Sequence, residues 1–233
     1  VCGGDAVIDE CGICGEDDSA CTGCTDSLAC NYGANEDCDY FCHDNAEYSM
    51  SFDNDRIVVP ASPSINIGTS DFSIEFWLET TDSNSADIIA KSVGSGQSNS
   101  TDESWFYVRL KDQGYLEVEI TDGYSQAGDY SLITSNSSVN NGELNFISIV
   151  FDRDGYGSIY INGELDNSSS ISSHSGDISN PYDLEIGVDT DLGNHYLDGI
   201  LDNMMIWGKV LSDNEIISHF NNVELDDTAD LLA

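Results

Sequence analysis

Four groups of side chains in this sequence have types and spacings that could do chemistry. The first is cysteine: Cys2, Cys11, Cys14, Cys21, Cys24, Cys30, Cys38 and Cys42 open the chain, and no cysteine follows. Cys11-Gly-Ile-Cys14 and Cys21-Thr-Gly-Cys24 have the CxxC spacing of zinc ligands. Only six residues separate the two pairs, however, where zinc ribbons place many more, and an even count of eight suits four disulfides. Disulfides are the expectation, with the connectivity left open. They imply an oxidising, extracellular setting.

The second group is carboxylates. Glycosidase chemistry needs two of them on one strand face, one as acid and one as nucleophile or base. Glu117-Val-Glu119 and Glu164-Leu-Asp166 come nearest. Neither completes a catalytic set, and Glu117 and Glu119 read more simply as a solvated strand face. His43, His174, His195 and His219 stand singly in polar surroundings, so no enzyme activity is expected. Calcium is the better use for the acids, because it takes about six to eight oxygen ligands from carboxylates and carbonyls. Asp202 reads as sharing a strand face with Ile200, Met204 and Ile206, where an unpaired carboxylate is costly. Asp53 and Asn54, ending an early strand, are the expected partners in a calcium site. The plain alternative is an Asp holding backbone amides in a turn. Asp189-Thr-Asp-Leu-Gly-Asn194 is a second oxygen-rich loop, read as an ordinary turn.

The third group is Trp105, Tyr107 and Arg109, which project to one side of one strand. Aromatic faces stack on sugar rings and Arg pairs with carboxylates, so the trio is a candidate ligand surface. A buried second layer is the competing reading. The fourth group is three glycosylation sequons, at Asn99, Asn136 and Asn167, all in Ser-rich stretches.

The elements that must position these residues follow from period-two alternation. Phe72, Ile74, Phe76 and Leu78 fall on one face, with Ser73, Glu75, Trp77 and Glu79 on the other. Phe106-Val108-Leu110, Leu116-Val118-Ile120, Ile147-Ile149-Phe151 and Ile159-Ile161 repeat the pattern. Asp122-Gly123, Asn141-Gly142, Asp154-Gly155 and Asn162-Gly163 supply turns. Only Ser212–Phe220 reads as a helix, with a Ser cap, Glu215 three residues on, and Ile216, Ile217 and Phe220 at helical spacing. The expected fold is all-β: a two-sheet antiparallel jelly-roll sandwich with one short C-terminal helix, preceded by a small disulfide-rich module.

Composition bounds the partners. The 233 residues carry 44 Asp+Glu against 6 Lys+Arg, a formal charge of −38. Such a chain cannot bind nucleic acid or anionic lipid unaided, because phosphate contacts need Lys and Arg. No apolar run reaches the roughly 18 residues of a membrane span. The missing initiator Met and signal peptide lead us to expect a processed product or a piece of a longer secreted protein. Residues 1–44 hold eleven acids and no base, too few apolar groups for a core, and enough carboxylates for bound calcium or a solvated face. Residues 45–233 form the second expected domain.

Two resemblances follow. Val1-Cys-Gly-Gly-Asp5, Asp9-Glu-Cys-Gly-Ile-Cys-Gly15 and Gly23-Cys-Thr-Asp26 resemble the short acidic Cys-rich repeats of large secreted proteins of marine microbes. That resemblance implies a stalk or spacer. Ser51-Phe-Asp53, Asp71–Leu78, Phe151–Gly155 with Ile159–Gly163, and Leu197–Trp207 with Val210-Leu-Ser212 resemble a laminin G-like domain, the concanavalin A-like sandwich shared with pentraxins. The resemblance implies a dozen or more strands, structural Ca2+, and adhesion to a glycan or cell-surface glycoprotein. Copies of the chain itself, in an extracellular filament or surface layer, are the alternative partner.

Overall fold

A computed structural model describes residues 7–8, 14–15, 49–92, 104–123, 129–188, 195–221 and 230–232. The chain divides into two units, Val1–Tyr48 and Ser49–Ala233. In the first, β1 (Val7–Ile8) and β2 (Cys14–Gly15) pair antiparallel. The cysteine pairing and any calcium in residues 1–44 otherwise fall outside the described residues.

The second unit is built from alternation. Twelve strands occur among its described residues: β3 (Met50–Asp53), β4 (Ile57–Val59), β5 (Phe72–Glu79), β6 (Ala86–Lys91), β7 (Trp105–Leu110), β8 (Tyr115–Thr121), β9 (Ser131–Ser138), β10 (Asn145–Phe151), β11 (Tyr156–Ile161), β12 (Glu164–Ser170), β13 (Leu184–Ile186) and β14 (Asp198–Trp207). They form two antiparallel six-stranded sheets, ordered β12-β11-β10-β5-β14-β3 and β4-β13-β6-β7-β8-β9. Inward residues of both sheets make one core that includes Phe72, Phe76, Phe106, Val118, Ile149 and Leu201. Phe72 and Phe151 stack within it, ring centroids 4.1 Å apart. The expected all-β sandwich is therefore the fold.

Local sequence explains the connections. Asn162 and Gly163, at φ 54° and 80°, make the two-residue turn between β11 and β12, a geometry that Asn-Gly adopts with little strain. The helix α1 (Asp213–Phe220) begins at Ser212, whose Oγ accepts from the Glu215 backbone N–H while the Glu215 carboxylate accepts from the Ser212 N–H. No helix among the described residues is long and apolar enough to cross a membrane.

α1 changes the character of the first sheet. Its Ile216 and Phe220, with Leu211 and Leu231, pack on the outward side chains Phe146, Val150, Tyr160, Trp77 and Trp207. Ser73 and Glu75, on the face of β5 away from the core, are thereby fully buried. Glu75 is satisfied there by Ser148 Oγ at 2.7 Å, Trp207 Nε1 at 3.0 Å and His219 Nδ1 at 2.7 Å.

Candidate functional site

The connections β3–β4, β5–β6 and β7–β8 meet the segment entering β14 and enclose an open cleft of about 500 Å³. Asp53, Asp82, Asp112 and Asp198 line it, with Asn54, Asn84 and Tyr196 among them, and no Lys or Arg does. The loops are held by local bonds. Asn54, at φ 58°, donates to Asp53 Oδ1 (3.0 Å), Asn84 to Asp82 Oδ1 (2.8 Å) and Ser85 to Asp112 Oδ1 (3.1 Å). Thr80 Oγ1 ties the Asp198 carbonyl to the end of β5 at 2.6 Å. Leu197, fully buried, anchors the last wall.

Below this rim, the outer face of the second sheet carries a polar network. Alternation puts Trp105, Tyr107 and Arg109 on it together, opposite the core residues Phe106, Val108 and Leu110. They are not an open platform. Tyr107 and Arg109 are 7% and 8% exposed. Glu119 accepts from Trp105 Nε1 at 2.8 Å and from the Tyr107 hydroxyl. Arg109 Nε donates to the fully buried Asp87 at 2.5 Å, and its guanidinium lies 4.2 Å from the Tyr107 ring centre. Glu117 faces Arg109 at 3.7 Å and Lys111 at 3.6 Å. Burial pushes the Glu119 carboxyl up, against the pull of its two donors. Burial also pushes the Tyr107 phenol up, with the Glu119 charge adding to it. Burial is the largest single influence on Arg109 and opposes its charge, but Asp87, Tyr107 and Glu117 together outweigh it and the pKa is raised. His195 joins network to cleft: its carbonyl accepts from the Asp87 N–H, and its Nδ1 stands 3.8 Å from Asp87 Oδ2.

Several sequence expectations need correction. Glu117 and Glu119 are not a solvated pair; both are held by the network just described. Of Glu164-Leu-Asp166, Asp166 is committed to the seam between the sheets, where it accepts from the backbone of Asn136 (2.5 Å) and Ser137 (3.1 Å). Asp202 does not share the face of the core residues. A bulge between Asp202 and Met205 shifts the phase of β14, so Leu201 and Ile206 point inward. Asp202 lies opposite Trp77, half-buried, and accepts from the Asn203 N–H at 2.8 Å. Nor does the fold bring it to Asp53: the register sets Asp198 against Asp53, and Leu201 against Met50 at the far end of that ladder. No three acids, histidines or cysteines among the described residues cluster as a ready metal cage.

His174, His195 and His219 are not isolated either, and His43 lies outside the described residues. His174 Nδ1 lies 2.9 Å from Ser131 Oγ and 3.0 Å from Ser173 Oγ, with Asp129 3.5 Å from Nε2. His174 is 7% exposed, and these contacts tie the start of β9 to the turn at residues 172–174. Two sequon asparagines are working parts of the seam: Asn136 Nδ2 donates to the Asp166 carbonyl (2.6 Å) and Asn167 Nδ2 to that of Thr134 (2.7 Å). Asn99 and the loop 189–194 lie outside the described residues. The rim cleft itself escaped the sequence reading except for Asp53 and Asn54. Its acids come from distant loops, and only the turn-forming Asp-Ser-Asn84 and Asp112-Gln-Gly114 marked those loops at all.

Comparison with known proteins agrees with this architecture. A family model described as the concanavalin A-like lectin/glucanases superfamily (Laminin_G_3) matches residues 53–217. No curated protein matches the chain. Among solved structures, the binding domain of Paraclostridial Mosquitocidal Protein 1 superposes with a TM-score of 0.58 at 22% identity, covering 73% of this chain and 41% of that one. The receptor-binding domain of botulinum neurotoxin D gives 0.57 at 19% identity, over 75% and 43%. The botulinum neurotoxin D ligand-binding domain in complex with N-acetylneuraminic acid gives 0.54 at 22% identity, over 75% and 41%. The chain thus spans less than half the length of these structures, and at such identities the likeness is one of fold.

Proposed function

The chain belongs to the concanavalin A-like lectin/glucanase superfamily, and from that premise we propose that it is a non-catalytic extracellular module that grips glycans of a cell surface at the rim cleft. The observation that carries this reading is the cleft's lining. Asp53, Asp82 and Asp112 each engage Oδ1 locally, so second carboxylate oxygens remain for sugar hydroxyls or an ion. Asn54, Asn84 and Tyr196 add amide groups and an aromatic ring, the usual mixture for a saccharide. One structural relative's sialic acid complex supports glycans as the ligand class by analogy.

Calcium is part of the proposal. The cleft offers hard oxygen donors and no base, which suits this cation, and Asp53, Asn54 and Asp198 are the residues assigned to it. Bound there, calcium would offset the aspartate charges and supply a Lewis-acidic contact for hydroxyl oxygens. Asp202 has no part in it. Trp105, Tyr107 and Arg109 are assigned a supporting role, fixing β6, β7 and β8 beneath the rim. Catalysis is set aside because Glu117 and Glu119 are engaged by Arg109, Lys111, Trp105 and Tyr107, and neither lines the cleft.

A glycan array probed in millimolar calcium, in chelator, and with Asp198→Asn tests the reading. Binding that depends on calcium and disappears in Asp198→Asn is expected. Binding indifferent to both would remove the rim from consideration. No calcium-dependent binding together with ordered self-assembly would favour a structural subunit of a filament or surface layer.

A further inference from the structure

α1 covers the outer face of the first sheet only in part. Beyond its first turn, the ends of β10 and β11 form an open groove of about 490 Å³, whose lining includes Tyr156, Ser158, Tyr160, Val210, Asp213 and Asn214. Its residues are distinct from those of the rim cleft. Tyr156 and Val210 are the exposed apolar surfaces here, at 59% and 40%. We propose that this groove is a second saccharide site, which takes a neutral pyranose stacked on the Tyr156 ring.

Tyr156, Ser158 and Tyr160 alternate on the outward face of β11, because Ile159 and Ile161 turn to the core. β11 is interior to the sheet, hydrogen-bonded to β10 on one side and β12 on the other, so the Tyr156 backbone is fixed before any ligand arrives. Tyr160 is held two positions along: it is 9% exposed and donates to Asp213 Oδ1 at 2.8 Å. Burial, and then that bond, push its phenol up to about 12, so it remains a neutral donor at any ordinary pH. The groove therefore has an aromatic wall on a fixed strand, an aliphatic edge and a rim of hydroxyl, amide and carboxylate groups. A pyranose has the matching form, with C–H faces that stack on an aromatic ring and hydroxyl edges that bond to such groups.

Charge and topology narrow the ligand. Asp152 and Asp213 line the groove, neither Lys nor Arg does, and the chain carries −38. Sialylated, uronic or sulfated sugars would be repelled. An extended peptide finds no backbone partner, since both edges of β11 are already paired. A neutral sugar meets neither obstacle.

This inference does not rest on the rim cleft, and calcium separates the two. Saturation-transfer NMR on the full chain in chelator, with cellobiose, laminaribiose, maltose and lactose as probes and 3′-sialyllactose as the anionic control, tests the groove alone. At least one neutral disaccharide should bind, and the anionic control should not. Tyr156→Ala should weaken binding about tenfold, and Tyr156→Phe, which keeps the ring, should hold it within about twofold. Asn214→Ala is a second, independent loss on the opposite wall. Asp198→Asn should leave this binding unchanged. Equal binding by Tyr156→Ala, preference for the sialylated sugar, binding lost in Asp198→Asn, or no transfer to any of the four neutral sugars would each overturn the groove assignment. None of these outcomes except loss in Asp198→Asn bears on the rim.

Discussion

Asp87 is the most demanding single residue in the sandwich. Its carboxylate is fully buried, and its charge is met by Arg109 Nε at 2.5 Å. Desolvating such a pair costs much of what its attraction returns, so the pair matters chiefly through what breaking it leaves behind. Arg109→Met keeps the apolar bulk of the side chain and takes the guanidinium away from the buried carboxylate. Unfolding in urea should show a loss of about 3–5 kcal/mol. The double variant Asp87→Leu/Arg109→Met should recover most of it, because the buried Asp87 charge is removed together with its cation. A loss below about 1 kcal/mol in the single variant would mean that water reaches Asp87, and that the network does not seal the sheet below the rim.

At the scale of elements, α1 is fixed at its start by the reciprocal bonds of Ser212 and Glu215, and at its end by Phe220 against Trp77 and Phe146. Ser212→Ala should cost about 1 kcal/mol. The bonds from Ser212, more than the nearby Lys209 charge, hold the Glu215 carboxyl down to about 2 from an ordinary 4.5. Its folded value is the depressed one, so its contribution is complete above about 4.5 and is lost as pH falls towards 2. Ser212→Ala should therefore cost less at pH 2.5 than at pH 7 in thermal melts, and an equal cost at both would deny the capping carboxylate its role. The cap, the strands and the turns were legible in the sequence because each is a local pattern: S-x-x-E, period two, Asn-Gly. What was not legible is tertiary. The bulge after Asp202 leaves no signature in alternating residues, and reading straight through it placed that carboxylate on the wrong face. The burial of Glu75 depends on a helix some 140 residues later in the chain. The rim acids Asp53, Asp82, Asp112 and Asp198 become neighbours only when four loops converge.

For the whole molecule, charge is the dominant fact, and three of the six bases are turned inward. Lys91 and Arg153 are 1% exposed and donate to backbone carbonyls of Asn180, Tyr182, His174 and Gly176. Burial lowers the pKa of both. Arg109 is buried, while Arg56, Lys111 and Lys209 face Glu185, Glu117 and Glu215. Positive charge is thus used to fasten loops and strands, and the surface is left almost purely anionic. Folding concentrates that charge, and added salt should raise the melting temperature by screening it. Bound calcium should act beyond screening, since a ligand held by the folded state alone adds RT ln(1+[L]/Kd), about 2.7 kcal/mol at a hundredfold excess over Kd. The melting temperature should therefore rise by several degrees in millimolar calcium over chelator at equal ionic strength. Asp53→Asn and Asp198→Asn should remove most of that rise because both line the rim, whereas Asp202→Asn, at the bulge, should leave it intact. A rise that follows ionic strength alone, with all three variants behaving as the parent, would mean that the rim holds no ion and that the acids serve only to keep the surface hydrated.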